Sequence, residues 1–131
     1  LHNIGHLLLG HLLPVQHELV SLLLTQNPTL PLTSVERFAI GVDHTQLGAW
    51  LLQVWELPEP LPTLVRHHHN PAYQGGHQTL VLLLCLADAL LADTPAGIGA
   101  PMAANDLARL QGRLQLTAEQ CQDALQAVML P

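Results

Sequence analysis

The sequence contains no lysine, and its basic residues other than histidine are four arginines. Ten acidic residues leave a formal net charge of −6, which argues against a surface that follows nucleic-acid phosphates. Charged residues make up only 11% of the 131 residues, whereas hydrophobic residues make up 49%. The chain is therefore too apolar for a disordered segment, and its length suits one domain.

Long hydrophobic runs are also missing. The longest run, Leu80 to Leu86, is far shorter than the about 20 residues that a membrane-spanning helix needs, and Asp88 follows closely. No basic region precedes the apolar start, which His2, His6 and His11 interrupt, so the pattern does not predict a signal peptide. We expect a cytoplasmic protein that makes no membrane contact.

Cysteine and aromatic residues are scarce as well. Two cysteines are too few for a disulfide scaffold, and the position of Cys85 in an apolar run indicates that Cys85 and Cys121 are buried thiols. Aromatic residues at 3% and scattered β-branched residues give strands little support. Leucine supplies about a quarter of the chain and recurs at helical spacing between prolines and glycines. These patterns predict an all-α fold of six to eight short helices.

Three candidate capping boxes precede predicted helices, and the last of them is Thr117 with Gln120. Thr33 and Glu36 have the spacing that caps a short helix ending at Gly41, and Asp43 with Gln46 has the spacing that caps the next helix. The apolar stripe predicted for that next helix shares its face with a histidine; its members are His44, Leu47, Leu51 and Trp55.

Nine histidines are a surplus that calls for a function. His2 and His6 are four residues apart, a spacing that places two imidazoles on one helical face. Imidazole and carboxylate together are ordinary ligands for Zn, Fe, Mn or Ni. Surface or structural roles are assigned to His11, His17 and His77. The remaining residues that this chemistry singles out are His44, His67, His68, His69 and Asp88.

Each of these residues also has a structural explanation. Asp88 is predicted to lie on an apolar helix face, where an acid is costly unless it is paired or binds a metal, and it could pair with Arg66 or a backbone N–H. His44 could be a core histidine that donates to a backbone carbonyl. The run from His67 to His69 could consist of cations stabilised by a helix C-terminus. The face predicted for Asp88 comprises Leu80, Leu84, Ala87 and Leu91.

Several segments resemble one known family. LHNIG at residues 1–5 resembles the Leu-His-Asp-Ile-Gly signature of the HD phosphohydrolase superfamily. Later segments are closer to its HDOD branch, the HD-related output domains of bacterial signalling proteins. The similarity spans about Leu1 to Gly99. The segments that carry the HDOD resemblance are GVDH (41–44), LGAWLL (47–52), WELP (55–58), VRHHHNP (65–71) and LADAL (86–90).

The resemblance implies an all-α, HD-domain-like helical bundle, with residues 1–131 as one HDOD-type domain. The chain starts at Leu1 with a helical pattern already under way, so we expect the C-terminal portion of such a domain, without its N-terminal helices, from a longer response regulator. In active relatives, including the HD-GYP cyclic-di-GMP phosphodiesterases, histidines and aspartates hold divalent metals. The ligand positions carried over to this chain are His2, Asn3, His44, His68, His69 and Asp88.

Three departures from the active relatives predict that hydrolysis is lost. Asn3 replaces the HD aspartate, a histidine expected upstream would precede Leu1, and residues 70–76 contain neither the acid nor the Tyr-Pro of the HD-GYP segment. Loss of one bridging charge beside a divalent ion costs several kcal/mol, to order of magnitude, in a low-dielectric site. A hydrolytic water also depends on a metal to lower its pKa. We expect a vestigial metal site and no required cofactor, although a divalent metal is compatible with the residues.

The sequence therefore predicts a catalytically degenerate HD-type output or regulatory domain in bacterial signal transduction, and not an enzyme. Such a domain would act through a protein partner or an adjoining N-terminal receiver-type domain, and it could form a homo-oligomer. One alternative is a residual metal-dependent phosphohydrolase of a cyclic dinucleotide or nucleotide. Another is a nucleotide sensor without hydrolysis. The hydrolase would use His2, His44, His68, His69 and Asp88.

Overall fold

The computed structural model describes residues 1–95, 97 and 102–130. Within these residues the protein contains eight α-helices and no strand, which confirms the all-α prediction. The loop expected from Asp93 to Pro101 lies partly outside the described residues. The helices are α1 (Ile4–Leu12), α2 (Pro14–Gln26), α3 (Leu32–Ile40), α4 (His44–Val54), α5 (Leu61–His67), α6 (Gln78–Leu91), α7 (Ala104–Leu114) and α8 (Ala118–Met129).

The chain divides into two compact units, Leu1–His69 and Asn70–Pro131. The first unit contains α1 to α5, and the second contains α6 to α8. One domain over the whole chain stays a prediction.

Helix α4 is central to the first unit, because it packs against α1, α3 and α5. Helix α2 packs against α1 and α3. Ala49 and Leu52 of α4 form a buried apolar cluster with Val65 of α5, and the partly buried Leu57 and Leu61 pack against it. This packing brings the ends of α1, α4 and α5 close to one another.

Helices α1 and α4 approach each other at two glycines. A Cβ atom at Gly5 would lie 1.9 Å from the carbonyl oxygen of His44, and one at Gly48 would lie 3.4 Å from the backbone nitrogen of Gly5. Gly5 and His44 lie in the first turns of their helices. The missing side chain at Gly5 therefore allows the beginning of α1 to contact the beginning of α4.

A capping box begins α4, as the sequence predicts. The carboxylate of Asp43 accepts the backbone N–H groups of Thr45 and Gln46 at 2.9 and 3.0 Å. In return, the side-chain oxygen of Gln46 accepts the backbone N–H of Asp43 at 3.0 Å. These bonds satisfy N–H groups that have no partner within the helix.

The capping box predicted at Thr33 and Glu36 is wrong. Helix α3 begins after Pro31 without a side-chain capping bond, and Glu36 lies within the helix with 1% of its surface exposed. Proline at the N-cap has no backbone N–H, so a glutamate side chain cannot form the reciprocal bond of a capping box there. The Glu36 carboxylate instead accepts the backbone N–H of His44 at the start of α4. The predicted end at Gly41 is confirmed, with φ at 91°.

The buried faces of α4 and α6 differ from the predicted stripes. Trp55, which directly follows α4, is 54% exposed, and on α6 Leu80 is 45% exposed while Asp88 is only half-buried. Both helices carry apolar residues nearly all round, so periodicity alone does not select one face. The residues buried instead are His44, Thr45, Gly48, Ala49 and Leu52 on α4 and Val81, Leu82, Cys85 and Leu86 on α6.

In the second unit, α6 packs against α7 and α8. The guanidinium of Arg113 on α7 donates to the carbonyl oxygens of Pro71 and Tyr73, both at 2.7 Å, and so connects the loop before α6 to α7. A capping box of Thr117 and Gln120 begins α8.

No single helix among the described residues is long and apolar enough to cross a membrane. Helices α1 and α2 taken together pass that test by length and composition, and they are bent by 117°.

Gly5→Ala is expected to lower the free energy of unfolding by about 1–3 kcal/mol or more, because the new methyl group overlaps the backbone of His44. Gly10→Ala is a matched control on the same helix, since no atom lies within 4 Å of the point where its methyl group would stand. The control is expected to leave the free energy of unfolding unchanged or to raise it by about 0.5–1 kcal/mol, because alanine has the higher helix propensity. Urea denaturation measures both, and equal effects of the two substitutions would contradict the close approach of α1 and α4.

The Cys85 thiol is expected to react slowly in the folded protein. Cys85 and Cys121 are both buried thiols, which agrees with the sequence. Burial raises the pKa of Cys85 to about 12, and the charge of Asp88 adds to this effect. At pH 8, alkylation of Cys85 by iodoacetamide should be at least about 100-fold slower in buffer than in urea, because thiolate is the reactive form. Peptide mass spectrometry resolves the two cysteines, and similar rates with and without urea would refute the prediction.

Candidate functional site

The first unit brings five histidines together, which we call the histidine cluster: His2, His6, His44, His68 and His69. His2 precedes α1 and His6 lies within it, His44 begins α4, and the last two follow α5. The cluster forms because α4 packs against both α1 and α5.

The rings of the cluster are in direct contact. His6 stacks on His44 with ring centroids 3.8 Å apart, and His68 lies 4.1 Å from His69. His44 is 5.5 Å from His68 and 4.9 Å from His69, and His2 meets His68 edge-on at 5.0 Å. The first unit therefore assembles four of the histidines that the sequence singled out as ligands, together with His6.

Asp88, the remaining predicted ligand, lies on α6 in the second unit. His11 and His77 are exposed and His17 is partly exposed, as expected for histidines outside the site.

His44 is completely buried and is oriented by Glu36. Its Nδ1–H donates to the Glu36 carboxylate, whose two oxygens both lie 2.9 Å away, and its backbone N–H donates to the same group. The proton on Nδ1 leaves the lone pair on Nε2, which lies 3.0 Å from Nε2 of His69. His44 is thus a buried histidine, as one interpretation of the sequence expected, but it donates to a carboxylate and not to a backbone carbonyl.

Glu36 is the site residue that the sequence did not reveal. It lies 3.6 Å from Nδ1 of His6, in addition to its bonds with His44. Glu36 has apolar residues three and four positions away on the same helical face, at Leu32, Ala39 and Ile40. That was the available signal, but the spacing of Glu36 from Thr33 also matches a capping box. Only the contact between α3 and α4 distinguishes the two roles.

Asp43 stabilises the same end of α4. Burial on its own would raise the pKa of its carboxyl group, but hydrogen bonds from the Thr45 hydroxyl and the Gln46 backbone, with the charge of Arg66, hold the pKa below its ordinary value. Arg66 donates to the Thr45 hydroxyl at 3.3 Å. Glu36 and Asp43 together accept the first three backbone N–H groups of α4.

His68 is buried beside the end of α5. Its Nδ1–H donates to the carbonyl oxygen of Val65 at 2.7 Å, which satisfies a carbonyl of the last turn. Burial is the main cause that lowers the pKa of His68 to about 3, and the neighbouring His69 and His44 act in the same direction. Burial and Arg66 also lower the pKa of His67. These directions argue against His67 and His68 as cations stabilised by the helix terminus.

Asn3 occupies the N-cap position of α1 but makes no capping bond with its side chain. Its Oδ1 lies 3.2 Å from Nε2 of His68. That nitrogen carries a lone pair, because the proton of the neutral ring is on Nδ1. Two acceptors face each other favourably only if a cation lies between them or the amide rotates to present its NH₂ group.

The site fits an ion bound by nitrogen. The donor atoms of His44, His68 and His69 lie within 4.8 Å of one another. Nitrogens bound at about 2.0–2.1 Å to a tetrahedral ion lie about 3.3 Å apart, close to the separation of 3.0 Å between Nε2 of His44 and His69. A pair of ions bridged by the HD carboxylate does not fit, because position 3 offers a neutral amide. His6, Glu36 and His44 form a second group, whose members already contact one another.

Glu36→Gln is expected to lower the free energy of unfolding by about 1–3 kcal/mol, because the amide is a weaker acceptor for both N–H groups of His44. Glu18→Gln on the exposed face of α2 is the matched control and should change it by less than about 0.5 kcal/mol. Urea denaturation of both variants tests the buried bonds. A Glu36→Gln protein as stable as the control would show that they contribute nothing.

Comparisons with known proteins agree with this geometry. The family model of the HDOD domain matches residues 1–71, which is more than half of the chain. None of the curated proteins matches the sequence. A crystal structure of a candidate signal transduction protein from Marinobacter aquaeolei VT8 is similar over 97% of this chain, with 29% identity and a TM-score of 0.84.

This chain spans only 28% of the length of the Marinobacter protein. The family match includes Asn3 and every member of the histidine cluster, and it ends before Asp88. The helical fold, the ordered motifs of the first unit and the family match lead to one conclusion: the chain belongs to the HDOD domain family.

Proposed function

We propose that this chain is a catalytically degenerate HD-related domain that acts in bacterial signal transduction through contacts with other proteins. Membership of the HDOD family and similarity to a candidate signal transduction protein support the signalling role. The observation that carries the loss of catalysis is the amide of Asn3 against Nε2 of His68.

The substitution at position 3 changes charge more than shape. An aspartate there would place a negative charge beside His68, whereas the amide of Asn3 places none. A hydrolytic site needs that charge to hold divalent ions and to stabilise a nucleophilic hydroxide. In a buried site the missing charge is worth several kcal/mol, to order of magnitude. The cluster therefore retains the histidines of an HD site but lacks the negative charge of its aspartate.

Exposed apolar side chains support a role in protein contacts. Trp50 and Val54 are four residues apart on α4 and are 51% and 77% exposed. Trp55 is 54% exposed, and Phe38 on α3 is 84% exposed. Exposed apolar patches are typical of interaction surfaces, where tryptophan often contributes much of the binding energy. The partner would be another protein, a second copy or an adjoining receiver-type domain.

A residual phosphohydrolase is the second candidate, and the convergence of His44, His68 and His69 favours it. These side chains would hold a divalent ion, which supplies an activated water in such enzymes. Glu36 would keep Nε2 of His44 directed at that ion. A donor set without the HD carboxylate is less suited to this chemistry than that of active relatives.

Hydrolysis assays separate the two candidates. The full chain without an affinity tag is incubated with cyclic di-GMP or a nucleotide in Mg²⁺, Mn²⁺ or Zn²⁺. The proposed function predicts no product above the protein-free reaction, and the same result for His69→Ala. Turnover by the wild type that His69→Ala abolishes and His11→Ala retains would overturn the proposal in favour of the hydrolase.

A further inference from the structure

We propose that an exposed apolar patch on α4 binds a short basic amphipathic helix of a partner protein, and that two glutamates beside the patch pair with the cationic residues of that helix. The inference rests on the proposed function, which requires a protein contact, and it adds the place of that contact and the chemistry of the partner. The patch, which we call the tryptophan patch, consists of Trp50, Leu51, Val54 and Trp55, and the two acids are Glu56 and Glu59.

The tryptophan patch is continuous along one side of α4. Trp50 and Val54 are four residues apart, and Leu51 is three residues from Val54. Trp55, which directly follows the helix, is four residues after Leu51. Residues three and four apart are neighbours on a helix surface, so the four side chains adjoin one another. Leu51 is partly buried and the other three are exposed, so the patch is open to a partner.

The patch contains both tryptophans of a chain that has few aromatic residues. The core is built from other side chains, because the buried hydrophobic residues that the structure describes include no aromatic ring. Tryptophans at the surface contribute little to packing, whereas at protein interfaces they often carry much of the binding energy. Their position therefore favours a binding role over a structural one.

The charges beside the patch are negative. Glu56 directly follows Trp55, Glu59 comes three residues later, and both are exposed. Residues 45–65 contain no lysine or arginine, and within the described part of the chain neither carboxylate forms an ion pair. Lysine or arginine of a partner would pair with these acids and gain cation–π attraction from the indole rings. A second copy with its net charge of −6, a nucleic acid and an anionic membrane would each be repelled.

The size of the patch fits a short segment better than a second folded domain. About half of each tryptophan is exposed, and a buried aromatic side chain covers roughly 150–250 Å². With Val54, the exposed apolar area is on the order of 300 Å², whereas a stable interface between folded proteins buries about 800 Å² per partner. A few turns of an amphipathic helix, with apolar residues three and four apart, cover an area of this order.

The backbone at Glu56 supports a role for its side chain. Helix α4 ends in a Schellman motif, in which the N–H of Leu57 donates to the carbonyl oxygen of Leu52 at 3.0 Å. The N–H of Glu56 donates to the carbonyl oxygen of Gln53, also at 3.0 Å. This motif places Glu56 in the left-handed region with φ at 56°, where glycine is the usual residue because it has no Cβ. Glycine would thus be less strained here, but it would remove the carboxylate from the edge of the patch.

The experiment measures binding of a designed peptide to the full chain by fluorescence anisotropy. The probe is a fluorescein-labelled amphipathic helix of about four turns made of leucine and lysine, and its control has glutamate in place of lysine. The lysine peptide is expected to bind with a Kd in the micromolar range, at least about tenfold more tightly than the glutamate peptide, and added salt should weaken it. Unlabelled lysine peptide should shift the tryptophan emission to shorter wavelength, because both tryptophans lie in the patch.

Substitutions locate the binding site. Trp50→Ala should raise the Kd of the lysine peptide at least about tenfold, and Val54→Ala about threefold. Val15→Ala on α2, where valine is exposed to a similar extent, is the matched control and should leave the Kd unchanged. Glu56→Gln combined with Glu59→Gln should raise the Kd about three- to tenfold. Glu56→Gly should also weaken binding, while its urea midpoint stays the same or rises, an outcome that a purely structural role of Glu56 does not produce.

Equal binding of the two peptides, or equal effects of Val54→Ala and Val15→Ala, would overturn the proposal. Sedimentation equilibrium tests a second copy as the occupant, since a dimer that Trp50→Ala dissociates would make the patch an interface between copies. Binding to phosphatidylserine vesicles that Trp50→Ala abolishes would assign the patch to a membrane instead. Hydrolysis of a nucleotide by the chain would overturn the proposed function and leave the peptide site standing. Absence of peptide binding would remove the site and leave the loss of catalysis standing.

Discussion

The buried carboxylate of Glu36 is the interaction on which the rest of the first unit depends. From α3 it accepts the first backbone N–H of α4 and the Nδ1–H of His44, and it lies 3.6 Å from His6 on α1. A buried acid is costly unless hydrogen bonds and nearby positive potential compensate it. The N–H groups and the partial positive charge at the start of α4 supply that compensation. The orientation of His44 is therefore built into the folded chain before any ligand arrives.

The packing that forms the histidine cluster is separate from the charge at position 3. The imidazoles converge because α1, α4 and α5 pack against one another, and that packing uses glycines and apolar residues rather than the residue at position 3. An amide in place of the HD carboxylate therefore leaves the rings in place. It removes a negative charge and leaves a cluster that is rich in nitrogen. The packing that positions the rings and the charge at position 3 therefore depend on different residues.

The sequence predicted those features that depend on local signals. The α4 cap at Asp43, the end of α3 at Gly41 and the all-α class follow from short-range hydrogen bonding and backbone preference. The histidines were found by their spacing and by ordered family motifs. The role of Glu36 and the buried face of α4 could not be predicted, because they depend on which helix packs beside which. A helix that is apolar nearly all round contains no periodic signal for that choice.

The contact at Gly5 has a mechanical consequence. Its α-carbon approaches the carbonyl of His44 so closely that no side chain lies between the two backbones to absorb a displacement. Side chains yield by changing rotamer, whereas backbone atoms in contact do not. A displacement of the first turn of α1 should therefore displace the first turn of α4 directly. The first turns of the two helices are therefore expected to move together, because Gly5 has no side chain to separate their backbones.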